Sequence, residues 1–207
     1  AARLGRAQLA GASLCESDMR GADLAGADLA GTDLSRAQLV TAKLEGATGL
    51  GTATLVGANL SGTSMCGLDL SGKDLSQLDL SGADLRKTNL SGANLKGSNL
   101  SGAKLEEANL TDADCKGATL TKAQMQRCVI TGADLTNANM SETDLSGAQG
   151  LQGTKLCGAS LQKAVLTEAV LTGADLTKAV MSAARLGRAQ LAGASLCESD
   201  MRGADLA

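Results

Sequence analysis

Six cysteines are the residues of this 207-residue chain best suited to chemistry, and their spacing points away from it. No two stand as C-x-x-C and the chain has no His, so the usual thiolate and imidazole sets for zinc have no local source. The lack of His also leaves every Ser and Thr without the base that activates a hydroxyl nucleophile. No complete G-x-x-x-x-G-K-[ST] run offers a phosphate cradle. Asp recurs one residue in five, as in Asp23, Asp28 and Asp33, and such isolated carboxylates do not gather the six or more oxygens that calcium takes. No catalytic residue, metal site or cofactor is expected.

Composition narrows the fold. Phe, Tyr, Trp and Pro are absent, while Leu, Ala and Gly dominate, with 26 Gly. Aromatic side chains normally supply much of the area buried in a globular core, so their absence predicts a narrow one. The 19 basic and 22 acidic residues give a net charge of −3 and are spread along the chain. That balance provides no electrostatic footprint for nucleic acid. No apolar run approaches the roughly 18 residues of a membrane helix, so membrane insertion is not expected.

A beat of five organises the chain. In GADLAGADLAGTDLS, Leu returns every fifth residue, with Ala two places before it and Asp or Asn between. Taking each such apolar residue as a centre gives 41 pentapeptides, running Leu4 to Leu44, Leu50 to Leu145 and Leu151 to Leu206. Leu holds 33 centres; the others are the six Met, Cys115 and Ile130. A period of five matches neither a helix nor a simple alternating strand. A short extended segment followed by a turn accounts for it, because residues two apart share a strand face and Gly tolerates the turn. Stacked coil upon coil, such segments form a β-solenoid. Its core would hold Leu24, Leu95, Leu100, Cys115 and Ile130, with Cys115 and the inward Cys128 acting as small apolar fillers.

Runs such as Ala22-Asp23-Leu24 and Ala93-Asn94-Leu95-Lys96-Gly97, iterated over the whole chain, resemble the pentapeptide-repeat family. The resemblance implies an all-β fold, a right-handed quadrilateral β-helix with four pentapeptides per coil. The centre and the residue two before it would face inward. On that architecture the chain makes about ten coils and, at about 4.8 Å per coil, a rod roughly 50 Å long. Residues 1–207 are expected to form one continuous solenoid.

The beat slips by one residue twice, at Leu44-Glu45-Gly46-Ala47-Thr48-Gly49-Leu50 and at Leu145-Ser146-Gly147-Ala148-Gln149-Gly150-Leu151. Both stretches read L-x-G-A-x-G-L, and 20 pentapeptides, or five coils, separate them. Thr48, Gly49, Gln149 and Gly150 should therefore bulge from one edge of the rod, either as tolerated turn insertions or as periodic contact points for a partner. Residues 183–207 copy residues 1–25 letter for letter. Residues 1–182 then read as one tandem unit and 183–207 as the start of the next. The unit equals 36 pentapeptides plus the two extra residues, nine whole coils, so successive units would begin on the same face. Ordinary, uncapped pentapeptides at both ends of the sequence agree with continuation.

The remaining irregularities sit on the same architecture. Cys15, Cys157 and Cys197 share a face, but Cys157 and Cys197 lie two coils, about 9.6 Å, apart and beyond disulfide reach. The thiols read as structural, with a crosslink between filaments through Cys66 or Cys157 as the alternative. Of fourteen Asp directly before a centre, only Asp114 and Asp134 should stack on one another. Leu68, Lys73 and Leu78 stand where small inward residues belong, so either the coil widens and Lys73 reaches outward, or the coil is specialised. Val165, Val170 and Val180 replace Asp or Asn at outward positions, as β-formers or as a lateral contact between rods. The function expected is a non-enzymatic structural rod or filament whose main partner is itself, with other proteins also conceivable. The alternative is a protein-binding module such as the DNA-mimicking, gyrase-interacting members of the family.

Overall fold

A computed structural model describes residues 1–207 as an all-β chain with no helix, in which one residue of each pentapeptide pairs in parallel with the residue one coil on. Arg3 pairs with Asp23, Gln8 with Asp28, Ser13 with Asp33 and Asp18 with Gln38. These pairs begin the four ladders, here called faces 1 to 4, of a right-handed quadrilateral β-helix. The backbone bonds explain the pitch. The Leu24 N–H donates upward to Lys43 O at 2.9 Å, and the Lys43 N–H donates back to Ala22 O at 2.9 Å. Within the coil the Ala27 N–H closes the turn on Leu24 O at 3.0 Å. A chain this thin has few other ways to satisfy its buried amides, so the ladder fixes four pentapeptides per turn.

Leu24, Leu95, Leu100, Cys115 and Ile130 are all buried, in one continuous column of 59 apolar residues. Where Thr or Ser replaces the small inward Ala, its hydroxyl finds a carbonyl nearby. Thr63 donates to Leu60 O at 2.7 Å, Ser98 to Leu95 O at 2.8 Å and Thr143 to Leu120 O at 2.9 Å. The burial of these hydroxyls therefore leaves no orphaned donor. The residue before the centre caps the corner: Asp33 Oδ1 accepts from Ser35 N–H at 2.9 Å and Asn59 Oδ1 from Ser61 N–H at 3.0 Å. This Asx turn is a local reason for Asp and Asn at that place, beside their stacking up the face.

Face 1 runs without a break through Arg3, Asp23, Lys43, Ser64, Asp84, Lys104, Gln124, Asp144, Val165, Arg185 and Asp205. Arg185, the copy of Arg3, thus stands nine coils above it on the same ladder. Both extra residues are absorbed at face 2, above Thr48 and Gln149, which pair with Asp28 and Val129. Gly49 and Gly150 occupy the spare places with φ of +75° and +80°. A Cβ on Gly49 would overlap the backbone of Ala30, and one on Gly150 would overlap the backbone and hydroxyl of Thr131. The glycines therefore fold inward against the coil below, and Thr48 and Gln149 are the exposed members of each insertion.

Gly49→Ala and Gly150→Ala should each cost more than about 2 kcal/mol, because left-handed strain adds to backbone overlap. Gly82→Ala, at φ +64° with nothing near its Cβ, should cost about 1 kcal/mol. Urea unfolding of the three variants checks this, and equal losses would contradict the packing.

Candidate functional site

The three breaches of the small-residue rule fall together in the coil above the first insertion. Leu68 and Leu78 are buried there, and their bulk stands where the coils below and above place Ala47 and Thr88, or Ala58 and Ser98. The ladder fails beside them, since Thr48 does not pair with Asp69 nor Thr54 with Asp74, although Asn59 pairs with Asp79 on face 4. Lys73 is only half-buried. Its ammonium donates to Gly51 O at 3.1 Å and to Ala53 O. In a regular coil the carbonyl of Ala53 would accept from the Asp74 N–H, so the lysine substitutes for the lost rung. Burial pushes the Lys73 pKa below the usual ammonium value, against the opposing charge of Asp74. The coil does open locally, and a cleft of about 460 Å³ lies between Thr54–Gly57 and Asp74–Leu78. At its mouth Val56 is 72 % exposed.

Gly67 to Lys73 spells G-x-x-x-x-G-K, a partial phosphate-loop pattern. The structure removes its chemical meaning. Asp74 stands where a Ser or Thr hydroxyl would be needed, no helix follows, and the Lys73 ammonium is committed to carbonyls.

Face 3 carries the one direct stack of aspartates, Asp114 on Asp134. Lys116 lies between them, 3.6 Å from Asp114 and 3.0 Å from Asp134. Lys96 approaches Asp114 to 3.0 Å and Lys155 approaches Asp134 to 3.6 Å. Like charges are thus interleaved with opposite ones. Burial by itself would raise the Asp134 pKa, but hydrogen bonds from Thr136 and Lys116 outweigh it and hold the carboxyl at about 2. The signal in the sequence was Lys116 two residues after Asp114, which has meaning only once the coil length is known. Elsewhere a residue other than Asp follows each aspartate up its face: Asn89 Nδ2 donates to Asp69 Oδ1 at 2.9 Å and Asn94 Nδ2 to Asp74 Oδ1 at 3.0 Å, while Lys43 and Lys104 stand above Asp23 and Asp84.

The other candidate residues are dispersed. Thr48 and Gln149 share face 2, five coils apart. Val165, Val170 and Val180 lie within one turn but on faces 1, 2 and 4, and all three are half-buried. A single flat neighbour cannot touch them together, so their common patch disperses around the rod. Cys15 and Cys197 are exposed, Cys66 and Cys157 half-buried, and Cys115 and Cys128 buried, with desolvation raising both buried thiols to about 12. No group of three or more Cys, Asp or Glu is placed to hold a metal ion.

Comparison with known proteins places this geometry. The family model described as pentapeptide repeats matches in eight copies, over residues 2–47, 74–112, 108–147, 151–182 and 184–207. Its matches skip 48–73, which holds the first insertion and the lower lip of the cleft, and 148–150, which holds the second insertion. No match to a curated protein was found. Among solved structures, HetL, a pentapeptide repeat protein involved in heterocyst differentiation regulation from the cyanobacterium Nostoc sp. strain PCC 7120, is 30% identical. The alignment covers 93% of this chain and 89% of HetL, with a TM-score of 0.56. Full-length QnrB1, a plasmid-mediated fluoroquinolone resistance protein, is 18% identical over 100% of this chain and 89% of its own, with a TM-score of 0.44.

Two outcomes follow from the charge and thiol environments. Because Asp134 is depressed to about 2 in the folded chain against about 3.9 in an unfolded one, its contribution is complete above pH 4 and is lost as pH falls through 2. Denaturant midpoints measured between pH 5 and pH 2 should fall in that window, and Lys116→Met should flatten the fall while lowering stability at neutral pH by about 1 kcal/mol. Separately, a colourimetric thiol reagent at pH 8 should label Cys15 and Cys197 first and leave Cys115 and Cys128 unlabelled until the chain unfolds.

Proposed function

Since the chain belongs to the pentapeptide-repeat family, we propose that it serves as a non-enzymatic structural rod in which 182-residue units join end to end with their faces in register, as tandem copies or by stacking of chains. The observation that carries this reading is the join around residue 182. There the end of one unit already bears the start of its copy. Val165 pairs with Arg185, Val170 with Gln190, Asp175 with Ser195 and Val180 with Asp200. Leu186 N–H reaches Asp205 O at 2.7 Å, the distance that Leu4 N–H keeps to Asp23 O at the other end. Met181, Ala184 and Leu186 are buried across the seam, so the core column does not thin there.

Charge supports continuation as well. Glu168 meets Arg188 at 3.5 Å and Lys178 meets Glu198 at 3.8 Å across the join. Glu16, the counterpart of Glu198, meets Arg36 above it at 2.7 Å. In a continuing rod that glutamate has a cation on both sides. Each exposed pair is worth little alone, from nothing to about 1 kcal/mol, and their value here is in register. Thr48 and Gln149 would recur along one edge of such a rod at alternating intervals of five and four coils, as contact points for a partner.

Negative-stain electron microscopy of the purified chain over rising concentration tests the reading. Unbranched filaments under about 40 Å wide per strand are expected, a width set by two opposed sheets about 10 Å apart with their outer side chains and any pairing of rods. Monodisperse single rods at every concentration would count against stacking. A chain carrying a second 182-residue unit should then be longer by about 43 Å in small-angle scattering, nine coils at about 4.8 Å; a bent or collapsed particle would sink the tandem form too.

A further inference from the structure

The two insertions act as an internal control for the cleft. Both read L-x-G-A-x-G-L, and both lose the rung above them on face 2, since neither Thr48 with Asp69 nor Gln149 with Val170 is paired. Above the second insertion the ladder recovers on the next face, where Lys155 pairs with Asp175 and Leu156 N–H reaches Asp175 O at 2.8 Å. The inward residues of that upper coil are Ala169, Ala174 and Ala179. Above the first insertion the corresponding residues are Leu68, Lys73 and Leu78, and the ladder stays open through face 3. The extra residue alone opens a gap of about 370 Å³ on face 2, beside Gln149, Leu151 and Val170; the opening carried on to face 3 accompanies the three large inward residues.

What the cleft offers is backbone. Below it, the N–H groups of Leu55 and Gly57 make no backbone bond; above it, the carbonyls of Asp74 and Ser76 accept none. In the regular coil one turn further, the equivalent groups are joined: Leu75 N–H to Asn94 O at 2.8 Å and Gln77 N–H to Lys96 O at 2.9 Å. The charged groups nearby are already engaged. Lys73 is held by Gly51 O and Ala53 O, and Asp74 Oδ1 accepts from Ser76 and Asn94. An anion or a metal ion finds no free partner of the needed charge, whereas donors on one lip and acceptors on the other match an extended peptide. A volume of about 460 Å³ suits a few residues of such a segment, and the exposed Val56 gives one apolar side chain a place to rest.

We propose that the cleft between Thr54–Gly57 and Asp74–Leu78 binds a single extended segment of a partner protein as an added rung. The partner's carbonyls accept from Leu55 and Gly57, its N–H groups donate to Asp74 and Ser76, and an apolar side chain covers Val56. Recognition is through main chain, so the partner is defined by extended conformation, small inward side chains and one outer apolar residue rather than by charge. This inference does not depend on rod assembly, because the cleft lies within one unit and away from the join.

The test uses the full chain and a displayed library of random hexapeptides, selected against the wild type and counter-selected against Leu68→Ala/Lys73→Ala/Leu78→Ala, which restores small inward residues and should close the ladder. Enriched peptides are expected to bind the triple variant at least tenfold more weakly. In the 15N-labelled wild type they should shift the amides of Leu55 and Gly57 and slow their exchange. Val56→Lys, on the surface and without effect on the core, should weaken binding severalfold and serves as comparison if the triple variant does not fold. No enrichment, equal binding to wild type and variants, or shifts confined to other coils would each overturn the proposal.

Discussion

Every coil of this protein hangs on one kind of bond, the parallel N–H to carbonyl link between a residue and its equivalent in the next coil. A thin column without aromatic side chains has little interior in which to hide polar groups, so its amides must pair with the coil above or below. That requirement explains the rest of the pattern. The coil must have constant length, which makes four pentapeptides the unit. Inward side chains must alternate large and small to keep successive coils at ladder spacing, which selects Leu and Ala. Each corner must reverse quickly, which selects Asp or Asn to cap the turn and a left-handed residue after it, whether Gly or a long charged residue such as Arg36 or Glu107 with φ of 55° and 60°.

The same bond shows where the pattern can be broken and at what consequence. One extra residue is absorbed in a single face when its glycine lies flat on the coil below, as at Gly150. The disturbance then heals within a quarter turn. Excess inward volume is not absorbed in this way, because a column packed with Leu and Ala has no room to redistribute a Leu in place of an Ala. At Leu68, Lys73 and Leu78 the coils part instead, and an ammonium takes over from an amide as donor. Side-chain size in the core thus controls backbone pairing at the surface.

Charge follows from repetition in the same manner. Stacking brings each residue against its equivalent, so a uniform sequence would set carboxylate on carboxylate up every face. Asparagine, lysine or another residue without negative charge interrupts those columns, as Asn94 does between Asp74 and Asp114 and Lys43 above Asp23, and Lys116 bridges the one direct pair, Asp114 on Asp134. At the corners, exposed cations and anions alternate between neighbouring coils, as in Lys87 with Glu107 and Lys122 with Glu142. These pairs favour one register of stacking between coils over its neighbours.

The period, the identity of the inward residues, the placement of both insertions on one edge and the nine-coil distance between residues 1–25 and their copy were all legible in the sequence. Those properties depend only on counting, because in a solenoid each coil touches its neighbours alone and distance along the chain converts directly into height. The geometry around Lys73 was different. Leu68, Lys73 and Leu78 were visible as exceptions, but whether the coil would widen, bury a charge or part from its neighbour depended on the volumes of two coils packed together. Likewise the three valines shared a turn in sequence and were scattered over separate faces in space, and the Lys116 bridge joined residues 20 apart. Only the tertiary structure decided these, since each is a contact between coils, set by volumes and charges that no single pentapeptide contains.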